Sequence, residues 1–260
     1  MMFFSSRLSW SVEFDEKGKL ITPDAVKGRV VTDGDLGDGV WQNKPLNREF
    51  KTIIPTLGQP LGLQTLIWAA YDKGNLYFAF KALDLQGKRI KTSIGQRDKV
   101  GGDDMVGVMI DTLGTRQSSF EFYLNPNGIQ IDGVNSSVSG TDLTPDFVWE
   151  SAGKLVPGCY QCEMRIPLES IRFKGGKNKE IKMRVMFARS VPHKGAMGTW
   201  LAMEAGQTEY NFMCNIANPG WALKLSGIGL WRFVPAESMV SQPMDFRPGR
   251  FAPDQTGIVF

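Results

Sequence analysis

The stretch that most constrains this chain is residues 102–133, GDDMVGVMIDTLGTRQSSFEFYLNPNGIQIDG. Met105-Val106-Gly107-Val108-Met109-Ile110 is a strand-forming run, and Thr112-Leu113-Gly114-Thr115 supplies a turn. From Ser118 to Leu124 the pattern has a period of two: Phe120, Phe122 and Leu124 point one way, Ser119, Glu121 and Tyr123 the other. Successive side chains leave opposite sides of a strand, so this alternation describes a strand with one face in a core. Asn125-Pro126-Asn127-Gly128 ends it with strong turn chemistry. Asp103, Asp104, Asp111 and Asp132 bracket these strands, where acids sit on the rim of a sheet.

The same grammar recurs along the chain. Leu8, Trp10, Val12 and Phe14 alternate, though residues 1–27 otherwise read as an irregular extension. The acidic turn around Gly34 is read as delivering Trp41 to a core rather than as a cation loop, because its spacing misses the twelve-residue calcium pattern. Leu66, Trp68 and Ala70, then Leu76, Phe78, Phe80 and Ala82, predict a hairpin with Tyr77 on its other face. Residues 135–144 are rich in Ser, Gly, Thr and Asp and read as a mobile surface loop. Further strands are expected over 147–152, 160–167 and 181–189, one helical turn over 168–173, and closing strands over 221–233. Short strands with turns about every ten residues predict an all-β chain: a jelly-roll-like β-sandwich of about ten antiparallel strands. Its expected span is 28–234, followed by a proline-containing tail, 235–260.

Charge and composition remove several classes of function. The net charge of +3 is dispersed and no run of five like charges occurs, which argues against nucleic acid. No apolar run reaches the length of a bilayer span. The opening MMFFSSRLSWSVEF has no basic segment ahead of an apolar one, so no signal peptide is expected. Cys159 and Cys162 form C-x-x-C inside an alternating segment, where i and i+3 face opposite ways; they read as core cysteines. No G-x-S-x-G elbow is present and no carboxylate pair stands out, so no catalytic residue is assigned. His193, the single histidine, and the 12 methionines admit a haem-ligand reading, but the methionines alternate within strands as core filler.

The order of several segments resembles family 9 carbohydrate-binding modules, and in particular the N-terminal sandwich domain of uncharacterised bacterial outer-membrane proteins. The segments are GDLGDGVWQNKP, WAAYDKGNLYFAFKALD, IGQRD with DDMVGVMIDTLGTRQSSFEFYLNPNGIQIDG, then VWESAGKLVPGCYQCEMRIPLESIRF and KMRVMFARSVP with Trp200 beyond. The resemblance implies a non-catalytic module for carbohydrate binding in carbohydrate catabolism, extracellular, periplasmic or at the cell surface. Implied partners are a carbohydrate ligand and, beyond it, a glycoside hydrolase or an outer-membrane protein. It requires no cofactor, though some members carry structural calcium.

In such modules two tryptophans sandwich a sugar ring. Here Gly101-Gly102 stand where one tryptophan would fall, Gly107 stands near an expected acid, and Trp221 matches the other tryptophan. The candidate ligand residues are Trp149 and Trp221 for stacking, with Arg97, Asp98 and Asn125 for hydroxyls; Asp103, Asp104 and Asp111 are the calcium candidates. Each also has a plainer role: a core tryptophan at Trp149, a rim salt bridge at Arg97 and Asp98, and a self-capped turn at Asn125. The alternative function is an envelope-associated assembly or interaction domain with a degenerate sugar site, whose partner would be an outer-membrane barrel.

Overall fold

The computed structural model describes residues 20–85, 90–173, 181–203, 205 and 214–218. All of these fall in the first of two units, Met1–Leu223; the second, Lys224–Phe260, lies outside them. Outside the described residues, too, lie the expected strand at Leu8–Phe14, Trp221, the closing strands and the tail.

Fifteen strands lie among the described residues. The first six are β1 (Leu20–Ile21), β2 (Asp24–Ala25), β3 (Leu46–Asn47), β4 (Lys51–Ile54), β5 (Thr65–Tyr71) and β6 (Asn75–Leu83). Four more come from the central stretch: β7 (Met105–Asp111), β8 (Ser118–Leu124), β9 (Gln130–Ser136) and β10 (Gly140–Asp142). Then follow β11 (Glu150–Val156), β12 (Cys159–Pro167), β13 (Ile181–Val191), β14 (Ala196–Trp200) and β15 (Cys214–Asn218). Nine strands form one sheet in the order β1-β15-β13-β7-β8-β9-β10, with β14 beside β13 and β4 beside β14. Six form the other, β11-β12-β6-β5-β2, with β3 also on β5. Pairing is antiparallel except between β1 and β15 and between β2 and β5. Three short 3-10 turns, Gly39–Gln42, Leu168–Ser170 and Pro192–Lys194, complete the set, and no helix among the described residues is long and apolar enough to cross a membrane.

The alternation read from the sequence becomes the inter-sheet core. Leu76, Phe78, Phe80 and Ala82 of β6 face Val106, Val108 and Ile110 of β7, Phe122 and Leu124 of β8, and Val185 and Phe187 of β13, all buried. Phe78 and Phe80 both meet Phe187 edge-on, at 5.8 and 5.9 Å between centroids. Each such buried phenylalanine contributes roughly 1.5–3 kcal/mol relative to exposure.

The outer face of the six-stranded sheet is also covered. Trp41, Trp68, Ala70, Tyr77 and Ala79 form a second cluster, with Val26, Val30, Leu36 and Val40 packed on it. Buried Glu163 on β12 fastens this cover: its carboxylate accepts from the Trp41 indole at 2.7 Å, Asp33 N at 3.0 Å and Gly34 N at 2.7 Å. The acidic turn is therefore a device that seats Trp41. A glutamine there would turn an amide N–H toward donors, so Glu163→Gln should cost about 2 kcal/mol and shift tryptophan emission toward that of exposed indole. A denaturant titration followed by fluorescence checks both.

Several expected boundaries move. The extension ends earlier than residue 27, because Leu20–Ile21 and Asp24–Ala25 each add a strand to a sheet. Residues 135–144 are not a free loop: β9 ends at Ser136 and turns back into β10, whose pairing is Gly140 with Ser136 through Asp142 with Val134. The strand expected from Phe147 begins at Glu150. Cys159 and Cys162 are both buried free thiols, as their strand positions require.

Candidate functional site

The side chains that β7, β8, β9 and β13 do not send into the core gather on the outer face of the nine-stranded sheet. Strand register sets them in rows. One row is Ala188, Gly107, Tyr123 and Ile131; the next is Met186, Met109, Glu121 and Gly133. Beyond them, Arg184 pairs with Asp111, and Ser119 pairs with Asn135, which pairs with Thr141. Directly opposed residues on neighbouring strands share a face and lie about 5 Å apart.

Tyr123 lies flat across Gly107: the ring fills the space that any β-carbon at residue 107 would take. Gly107 thus admits an aromatic plane onto the sheet. Met109 and Met186 are buried beside it, with Met203 packed against them. Glu121 is held in a polar set. Its carboxylate accepts from the Asn135 amide at 3.0 Å and from the Thr141 hydroxyl at 3.4 Å, and Asn135 also donates to Thr141 at 3.2 Å. Glu121 is almost wholly buried, Asn135 and Tyr123 are half-buried, and Thr141 is exposed. The face therefore offers an aromatic plane next to an acid–amide–hydroxyl group.

Of the ligand residues nominated from the sequence, Trp149, Asn125, Arg97 and Asp98 lie elsewhere. Trp149 is 6% exposed in the inter-sheet core, edge-on to Phe122 at 5.3 Å. It is a core tryptophan and not a stacking platform, because inward-facing Phe122 claims its plane. Asn125 is fully buried; its amide donates to Ser93 O and Asp103, both at 2.9 Å, and its carbonyl accepts from Asn127 N and Ile129 N. That spends its acceptor on its own turn and its donors on the segment holding Ser93 and Asp103, and leaves nothing for a hydroxyl.

Arg97 and Asp98 do come together, as structural ties. Arg97 donates to Phe147 O at 2.7 Å, forms an ion pair with buried Asp132, and sits 3.2 Å from Asp146. Asp98 accepts from Asp132 N at 3.0 Å, and Asp132 accepts from Phe147 N at 2.8 Å. The network anchors the segment entering β11. Trp221 lies outside the described residues.

The three calcium candidates do not converge. Asp103 is buried and accepts from Ser93 N, the Ser93 hydroxyl and the Asn125 amide, which together outweigh burial and hold its carboxyl below the usual range. Asp104 faces the other way, accepts from Lys91 N at 2.8 Å, and has its carboxyl pushed up by burial. Asp111 stands at the far end of β7, roughly 20 Å away at the rise of a strand, where four backbone N–H groups from Leu113 to Arg116 donate to it. Among the described residues no three His, Cys, Asp or Glu side chains meet as a metal site.

His193 lies at the edge of a cleft of about 370 Å³ with Gln64, Leu83, Asp84 and Lys194, and its Nε2 is 3.5 Å from Asp84. Among the described residues no methionine lines that cleft.

Two opposed sheets packed around one core define the class by fold: a β-sandwich. Solved structures bear this out for the fold. A family 9 carbohydrate-binding module from Caldicellulosiruptor kristjanssonii in complex with glucose aligns with TM-score 0.52 at 17% identity, over 76% of this chain and 94% of that one. The same module with cellotriose gives 0.52 and 17%, over 76% and 92%. The "putative carbohydrate-binding protein" of Bacteroides uniformis gives 0.59 at 11%, over 76% and 98%. No family model matches the chain, and no curated protein matches it.

Glu121 and Tyr123 were legible as outward-facing but carried no sign of function. Nothing in the sequence marks Gly107 as making room for a ring. The signal that joins them is cross-strand register, which needs the pairing of β7 with β8 and β9.

Proposed function

We propose that this chain is a non-catalytic carbohydrate-binding module whose ligand face is the outer surface of the nine-stranded sheet. The observation that carries this reading is the Tyr123 ring laid on Gly107 beside the Glu121–Asn135–Thr141 set. Sugar C–H faces pack on aromatic planes, and vicinal hydroxyls want carboxylate and amide partners at fixed positions. The fold shared with modules solved with glucose and cellotriose supports it. Trp221 stays in the proposal as a second aromatic, and a glycoside hydrolase or an outer-membrane protein as partner, in the periplasm or at the cell surface.

The test is a glycan-array screen of the full chain, followed by calorimetry on the best ligand. Tyr123→Ala should weaken binding about tenfold or more, measured at a temperature where its thermal melt shows the variant still folded. Retention of full affinity by Tyr123→Ala would remove this face from consideration.

A further inference from the structure

At one margin of the proposed ligand face two arginines neighbour a single aspartate. Arg184 is the cross-strand partner of Asp111, and Arg116 donates its backbone N–H to the Asp111 carboxylate at 2.9 Å. That carboxylate already accepts from Leu113, Gly114 and Thr115 as well. It is wholly buried and committed to its turn. Neither guanidinium forms a hydrogen bond or ion pair among the described residues, although Arg184 is half-buried and Arg116 is exposed. Burial and the nearby Arg116 both lower the Arg184 guanidinium from its ordinary pKa, against the pull of Asp111.

Ser119 adds an independent sign. It shares the outward side of β8 with Glu121 and Tyr123, stands opposite Asn135, is 2% exposed, and its hydroxyl has no partner among the described residues. A buried donor left unmade costs about 1–3 kcal/mol. A half-buried arginine beside a second cation is likewise unfavourable unless something negative joins it. Guanidinium forks match the oxygens of carboxylates and sulfates. The row from Arg184 to Thr141 thus runs from two unpaired cations, past an unpaired hydroxyl, to the polar set proposed to hold sugar hydroxyls.

We propose that Arg184 and Arg116 form an anion subsite, so that the glycan this face takes is acidic, bearing a carboxylate or sulfate on the sugar. This rests on the carbohydrate-binding reading of the same face. The anionic group sits on the arginine pair while a neighbouring ring meets Tyr123.

The experiment is binding of the full chain to matched pairs of immobilised polysaccharides: xylan and glucuronoxylan, methyl-esterified and free polygalacturonate, dextran and dextran sulfate. The acidic member of at least one pair should bind about tenfold or more tighter than its neutral counterpart, and rising salt should erase the difference. Arg184→Gln and Arg116→Gln should each bring the acidic member down toward the neutral one. Arg116 is exposed and outside the core, so its variant folds whatever Arg184→Gln does. The carboxylated and sulfated pairs separate the two chemistries. Equal binding of acidic and neutral members overturns the subsite and leaves the carbohydrate reading intact. A preference for acidic glycans that survives both arginine variants also overturns it. Binding to neither member of any pair overturns both readings together.

Discussion

Gly153→Ala is expected to destabilise the sandwich by about 3 kcal/mol or more. Gly153 lies midway along edge strand β11, paired with Cys162. A β-carbon there would stand 2.5 Å from Pro126 O and 2.7 Å from Gly128 N. Both are backbone atoms of the β8–β9 turn and cannot rotate aside. The turn at Gly34 also closes on Gly153, where a β-carbon on Gly34 would be 2.9 Å from Gly153 C. Gly34 and Gly128 themselves have φ of 82° and 79°, in the left-handed region that glycine adopts without a side-chain clash. The edge of one sheet, a turn of the other sheet and the turn that seats Trp41 thus meet at three glycines. Thermal unfolding of Gly153→Ala beside Lys154→Ala, an exposed neighbour, tests the close approach. Lys154→Ala should move stability by less than about 0.5 kcal/mol. A Gly153→Ala melting temperature within about 2 °C of the parent would sink the argument.

Arg189→Met is the second substitution with a large expected effect, about 3–5 kcal/mol. Arg189 has no exposed surface, yet it occupies β13 on the core side. Its guanidinium donates to Gln64 O at 2.9 Å, the Thr65 hydroxyl at 3.0 Å and Leu83 O at 2.9 Å, and lies 5.8 Å from the centre of the Tyr160 ring. Methionine fills much of the volume and leaves those acceptors without a donor. It also removes a cation that steadies buried Asp104.

The loss should depend on pH, with a definite sign. Burial raises the folded pKa of Asp104 above its unfolded value, while the Lys91 N–H, Arg189 and His193 hold it down. The stability contributed by its proton is complete below the unfolded value of about 3.9 and is lost as pH rises through the folded value. Without Arg189 the folded value climbs further. The gap between variant and parent should therefore be smallest near about pH 4 and largest at neutral pH. Paired melts across that interval check it; a gap that stays constant or narrows toward neutrality would contradict the role assigned to Arg189.

The readable part of this protein was its strands. The period of two in β6, β8, β12 and β13 gave their existence and their buried faces, because a one-residue error would send Phe78, Phe122 or Phe187 into water. Short strands were less legible. β1, β2 and β10 have two or three residues each, too few to show a period, and they exist because a neighbour's unpaired edge accepts them. Trp149 and Asn125 turned inward for a related reason. Trp149 and Asn125 carry suitable chemistry for a sugar, but flanking turns and loops do not announce which way a side chain faces. Phe122 and the β8–β9 turn made that choice.

From the sequence alone came an all-β sandwich, the inward set of its long strands, the seating of Trp41 by an acidic turn, and Glu121 and Tyr123 on a common outward face. These are local consequences of alternation and turn chemistry. Only the tertiary structure decided that Gly107 makes room for the Tyr123 ring, that Asn135 and Thr141 join Glu121, and that Arg184 and Arg116 meet at Asp111 with no acid left for them. Those neighbours come from different strands, and their meeting depends on register between segments that no one-dimensional pattern aligns.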